Sequence, residues 1–182
     1  MKDMKAIFDL IDSSARWLRE TKSTDQWARP WPNKTERDIR ISRGIVGGST
    51  WMVEGNEGLA GTITYRDKGN PQLWTEYERS ENAVYISRLI VSRQHARREI
   101  GAALIEWAGM RAMERWTADW IRVDVWTTNL ALHGYYKGRG FEHLRTLQFA
   151  DPWDYPSAAL FQKPTSNVDM TRAARFEEEE VS

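Results

Sequence analysis

From Met4 to about Glu20, the apolar residues Ile7, Leu10, Ile11, Trp17 and Leu18 recur at helical spacing, which predicts an amphipathic helix. Thr21 to Asn33 breaks the pattern with Pro30 and Pro32, so it reads as a loop carrying Trp27 and Trp31. A second helix starts near Thr35, with Glu36 and Asp38 in its first turn to complement the helix dipole, and stops at Gly47-Gly48. Thr50–Glu54 and Leu59–Tyr65 are strand-like and flank Gly55-Asn56-Glu57-Gly58, which predicts a hairpin. Arg66 to Asn82 is polar and reads as a long surface loop holding Trp74, Glu76, Tyr77, Glu78 and Glu81.

Ala83–Val91 is apolar and β-branched enough for a buried strand. Ile100 to about Trp116 returns to helical spacing, and Trp120–Trp126 alternates as a strand with Ile121, Val123 and Val125 on one face. Leu130–Lys137 predicts a short helix ended by Gly138-Arg139-Gly140, followed by strands at Phe141–Phe149 and Ala158–Gln162. Antiparallel strands first and a strand–helix–strand crossover later imply an α/β (α+β) fold: a mixed, mostly antiparallel central sheet with helices on both faces. Residues 1–164 form one domain. Residues 165–182, with Glu177–Glu180 and few apolar groups, read as a flexible acidic tail.

Composition narrows the function. The 182 residues carry 26 Lys+Arg and 26 Asp+Glu, and this zero net charge disfavours a DNA-wrapping protein. Asp3, Asp9 and Asp12 interrupt any leader-like stretch and no apolar run is long enough to span a membrane, so the expected compartment is the cytoplasm. The absence of cysteine removes disulfides, Cys-ligated zinc and a cysteine acyl-enzyme, and no His/Asp/Glu spacing predicts a metal site. Ten tryptophans are many for this length. Trp17, Trp107 and Trp116 fall on helix faces and read as core or partly buried, whereas Trp27, Trp31 and Trp74 fall in loops.

Two stretches carry candidate chemistry. The first is the buried strand end Leu89-Ile90-Val91, running through the basic turn Ser92–Glu99 into Ile100-Gly101-Ala102-Ala103. Free N–H groups at a helix start, small side chains and Arg97 and Arg98 suit a phosphate, although an arginine-rich surface turn has the same look. The second is Asn129-Leu130-Ala131-Leu132-His133-Gly134-Tyr135-Tyr136-Lys137-Gly138-Arg139-Gly140-Phe141. Together, in this order and spacing, they resemble the GNAT superfamily of acyl-CoA-dependent N-acetyltransferases from roughly Trp51 to Phe161. That family carries [RQ]-x-x-G-x-[GA] at a helix start and, further on, N-x-x-A-x-x-x-Y-x-x-x-G-F. Gly101, Asn129, Tyr136 and Gly140-Phe141 fall on the pattern, while Ala96, Glu99 and Leu132 depart from it.

The resemblance implies a GNAT-like fold and an acetyltransferase using acetyl-CoA as co-substrate, with no metal. Leu89, Ile90, Val91, Arg97, Arg98, Ile100, Gly101, Ala102 and Asn129 would hold the cofactor. Tyr136 would protonate the departing thiolate. Glu99 is expected to point to solvent or to pair with Arg97 or Arg98, and Tyr135 is expected in the core. Trp27, Trp31, Trp74, Glu76 and Glu78 would form an aromatic, acidic wall for a cationic amine, more readily a small molecule than a protein. A peptide or protein N-terminus, an aminoacyl-tRNA and a non-catalytic acyl-CoA-binding module are the other readings, for a monomer or homodimer. The base stays open among Glu76, Glu78, Glu81, Asp124 and a water ordered by Tyr85 or Ser87.

Overall fold

The computed structural model of the chain describes residues 2–22, 24–152 and 154–179. Its helices are α1 (Lys2–Thr21), α2 (Lys34–Val46), α3 (Glu76–Ser80), α4 (Ile100–Trp116), α5 (Leu130–Lys137) and α6 (Met170–Ala173). Its strands are β1 (Thr50–Gly55), β2 (Gly58–Arg66), β3 (Ala83–Val91), β4 (Trp120–Val125), β5 (Glu142–Thr146) and β6 (Ala159–Pro164). They form one six-stranded sheet in the order β1-β2-β3-β4-β6-β5, antiparallel except for the β3–β4 pair. The expected mixed sheet with helices on both faces is what forms.

Each face has its own core. Ile7, Leu10 and Ile11 of α1 and Ile41 of α2 bury against Ile90 on one side. Leu104, Ile105, Trp107, Ala108 and Ala112 of α4 pack on Ile63, Tyr65, Val84 and Ile86 on the other. The last glycine of α4 is there for contact: at Gly109 a Cβ would come within 2.5 Å of Ile121 and 2.8 Å of Val168.

The β3–β4 pairing is short. Ala83 to Ile86 pair in parallel with Trp120 to Val123, and there the register ends although both strands continue. On its other edge β3 is bulged: Thr62 faces Ile90 while Thr64 faces Ser87, so β3 holds one extra residue and Arg88 takes a left-handed φ of 48°. The two strands therefore diverge beyond Ile86 and Val123, leaving unpaired backbone and an opening in the middle of the sheet.

Two expectations are corrected. The stretch 66–82 is not all surface loop: Leu73 and Trp74 are buried, and α3 starts at a capping box in which Thr75 and Glu78 bond each other's backbone N–H. Arg145 binds the Glu78 carboxylate through both terminal nitrogens, at 2.6 and 2.7 Å, fixing this segment to β5. The stretch 165–179 is not a solvated tail either. Glu106, buried in α4, accepts from Lys163 of β6 at 2.7 Å and from the Asp169 backbone N–H at 3.1 Å, which seats α6 against α4. Phe176 joins the core and Glu178 accepts from the Trp107 indole at 2.8 Å. The expectation for 180–182 lies outside the described residues.

Candidate active site

Two cavities meet at the divergence of β3 and β4. The first, about 390 Å³, lies between the basic turn, the start of α4 and α5. It brings together Leu89, Ile90, Val91, Arg97, Ile100, Gly101, Ala102, Asn129 and Tyr136. Arg98 is not in its wall; it is exposed, and its carbonyl accepts from Arg175 at 2.7 Å.

The local structure explains why this cavity suits a phosphate. Glu99 is the N-cap of α4 yet makes no side-chain cap, so the first-turn N–H groups of α4 remain open to an anion. Gly101 is required by close approach: a Cβ there would come within 2.9 Å of the Tyr135 hydroxyl. Tyr135 thus lines this cavity through its hydroxyl end and is not simply core. Arg93 of the basic turn, stacked over Trp17 at 3.8 Å, adds positive charge, and so does Arg139, which the sequence pattern did not single out.

Glu99 finds its partner elsewhere than expected. Arg139 at the end of α5 binds both its oxygens at 3.0 Å, and Arg172 lies 3.8 Å away, while Arg97 and Arg98 take no part. The Arg139 hydrogen bonds hold the Glu99 carboxyl below the usual carboxylate range. Its φ of 57° is left-handed, a conformation that suits the glycine of the motif and costs an L-residue about 1 kcal/mol. Glu99→Gly is therefore expected to remove a negative charge from the cradle and free Arg139. Affinity of this cavity for a pyrophosphate should rise roughly two- to fivefold in calorimetric titration, about the effect of one exposed charge interaction.

Asn129 has a structural task. Its Oδ1 accepts from the Leu132 N–H at 3.0 Å, capping α5, and its Nδ2 donates to Gln26 in the α1–α2 loop. Asp25 of that loop accepts from the Trp126 indole at 2.8 Å and from the Thr128 hydroxyl. These contacts fasten the α1–α2 loop across the opening, and Trp27 reaches both cavities.

The second cavity, about 650 Å³, lies under that loop on the other side of the opening. Trp27, Trp31 and Trp74 line it, with Trp31 edge-on to Tyr155 at 4.8 Å. The acidic half of the expected wall is absent. Glu76 is exposed on α3 and Glu78 is bound by Arg145, neither in contact with this cavity. Glu78 is pulled down to about 2, chiefly by the Arg145 hydrogen bonds, and Glu81 pairs with the buried Arg122.

Asp124 is the carboxylate that does reach the cavity at the opening. It sits on β4 one residue past Val123, the last position paired with β3, and makes no ion pair among the described residues. Burial pushes it up to about 7, against the pull of its own backbone N–H and of Arg88 and Arg40. Tyr136 belongs to the walls of both cavities and is 4 % exposed. Burial, reinforced by Tyr135 and Asp124, raises its hydroxyl above the ordinary tyrosine value, so it stays protonated. Periodicity could place Asp124 on a strand but carried no sign of where β3 and β4 part, which is what singles it out. Among the described residues no cluster of His, Cys, Asp and Glu fits a metal ion, and no helix is long and apolar enough to cross a membrane.

The chain is 28% identical over 148 residues to the uncharacterized N-acetyltransferase YesJ of Bacillus subtilis, covering 79% of this chain and 78% of that one. A GNAT-family acetyltransferase structure from Listeria monocytogenes superposes with a TM-score of 0.67 at 25% identity, covering 90% of each chain. PaiA N-acetyltransferase from Thermoplasma acidophilum, solved in complex with coenzyme A, shares the fold at a TM-score of 0.61 and 16% identity, over 90% of this chain and 93% of that one. Residues 8–141 match the Acetyltransferase (GNAT) family, and the chain belongs to that family of acyltransferases.

Proposed function

We propose that the protein transfers an acetyl group from acetyl-CoA to the primary amine of a small molecule, by direct attack with both substrates bound. The observation that carries this reading is the meeting of the two cavities at Tyr136 and the unpaired strand ends. The first cavity fits the cofactor: open N–H groups on α4, Arg97, Arg93 and Arg139 suit the phosphates, and the free edge of Leu89–Val91 suits the amide-bearing arm. A bound acetyl-CoA supplies an acyl group activated as a thioester. The second cavity has the volume of a small-molecule site and is roofed by the α1–α2 loop, which favours a compact acceptor over a protein chain.

The residues divide the proton work. Asp124 takes a proton from the incoming ammonium, leaving a nitrogen lone pair free for the carbonyl carbon. The new C–N bond forms as the C–S bond breaks, and the Tyr136 O–H delivers its proton to sulfur. The second proton shed by nitrogen restores Tyr136. Unpaired N–H groups of β3 suit the carbonyl oxygen as its negative charge grows.

The test is acetyl-CoA-dependent thiol release over a panel of small amines, together with calorimetric titration of acetyl-CoA. Binding at micromolar strength and amine-dependent release are expected. Release with macromolecular amines alone would overturn the small-molecule assignment, and absence of acetyl-CoA binding would overturn the whole reading.

A further inference from the structure

The second cavity is basic. Eight arginine and lysine side chains line it against two carboxylates, Asp12 and Asp124. Asp12 is engaged with Arg37, itself also paired with Asp38. Asp124 stands beside the reacting nitrogen in the mechanism above.

Arg40 of α2, Arg66 at the end of β2 and Arg88 in the bulge of β3 converge on this space from three separate elements. Among the described residues none of them is in an ion pair. Arg40 is half-buried and stacked over Trp31 at 4.7 Å; one terminal nitrogen donates to the Trp31 carbonyl, while its buried Nε has no hydrogen-bond partner among the described residues. Arg88 donates from Nε to the Thr64 hydroxyl at 3.2 Å, an uncharged partner. The Arg66 guanidinium leans toward α2, 3.7 Å from where a Cβ on Gly44 would stand. The three feel one another: burial first, then repulsion from Arg66 and Arg40, brings Arg88 down to about 10. Guanidinium groups with donors to spare, in a partly desolvated space with an aromatic wall, form a receptor for a carboxylate or phosphate.

We infer that the acceptor is an amine that also bears an anionic group, a carboxylate or a phosphate ester, held by Arg40, Arg66 and Arg88 while its nitrogen faces Asp124 and Tyr136. This rests on the acetyltransferase reading and reverses the charge that the acidic 76–81 stretch suggested for the acceptor. An anion at the arginines and a nitrogen at the opening fix the amine at both ends, and a polycationic amine is repelled.

Matched pairs test it: phenylalanine against phenylalanine amide for a carboxylate, and glucosamine 6-phosphate against glucosamine for a phosphate. Each compound is titrated calorimetrically into the purified chain and then assayed for thiol release with acetyl-CoA. In at least one pair the anionic member should bind at least tenfold tighter and show the higher kcat/KM. That preference should shrink to within threefold in the Arg40→Gln/Arg66→Gln double variant, whose positions lie at the cavity rim and on a helix face. Absence of anion preference in both pairs, or of any binding, overturns the inference. Acetyl-CoA binding without anion preference leaves the acetyltransferase reading standing; anion preference without acetyl-CoA binding removes that reading, and the acceptor assignment with it.

Discussion

Asp124→Asn is expected to lower kcat by roughly 10²- to 10⁴-fold at neutral pH, the range removed with a positioned general base. Acetyl-CoA binding should be retained, because Asp124 lines only the second cavity. The pH profile is the sharper measurement. Burial raises this carboxyl to about 7, so it is protonated and idle below that value and becomes a base as pH rises through it. The wild-type rate should therefore climb with unit slope on logarithmic axes and level off above about 7. Asp124→Asn should flatten that limb, leaving only the ionisation of the amine itself at higher pH. A variant that keeps the break near 7 would show that another group carries the proton. Glu78 cannot produce such a break, since Arg145 holds it near 2.

Much of the fold was legible because it rests on local signals. The period of α4, the Gly55–Gly58 turn and the alternation in β4 each report one element, and all three elements form. The capping box Thr75-x-x-Glu78 was also legible in principle, but five helical residues give no period to notice. What misled was composition. The acidic run after Met170 looks solvated until Glu106 reaches the Asp169 N–H and Trp107 reaches Glu178, contacts spanning 63 and 71 residues. Likewise Glu76 and Glu78 look like a substrate wall until Arg145 claims Glu78 and Glu76 proves exposed on α3.

The site divides along the same line. The half proposed for the cofactor draws most of its wall from two stretches, Leu89 to Ala102 and Asn129 to Arg139, which a linear motif can register. The acceptor half is assembled from α2, β2, β3 and β4, joined by an opening that exists because one parallel pairing stops after Val123. No window of sequence contains Arg40, Arg66, Arg88 and Asp124 together. Residues whose meaning depends on where two strands separate are recoverable only once the register is known.

Tyr136→Phe should reduce kcat by roughly 10²-fold, toward the lower end for loss of a general acid, while the Michaelis constant for acetyl-CoA stays within about twofold. The substitution is clean for a structural reason. The ring packs against Phe141 at 5.2 Å and Phe161 at 6.3 Å, contacts that phenylalanine keeps. Among the described residues the hydroxyl has no hydrogen-bond partner, so its removal strands no buried group, and stability should change by less than about 1 kcal/mol. Any loss of rate then reports on chemistry and not on folding. The raised hydroxyl pKa adds a second signature: wild-type activity should hold its plateau to pH 9 without a falling limb, because the donor keeps its proton throughout. Tyr135→Phe is the control, since that hydroxyl sits against Gly101 in the cofactor cradle and its loss should act on acetyl-CoA affinity more than on kcat. Should the Tyr136→Phe variant turn over at the wild-type rate, the proton for the departing sulfur comes from solvent, and the meeting point of the two cavities is a packing contact.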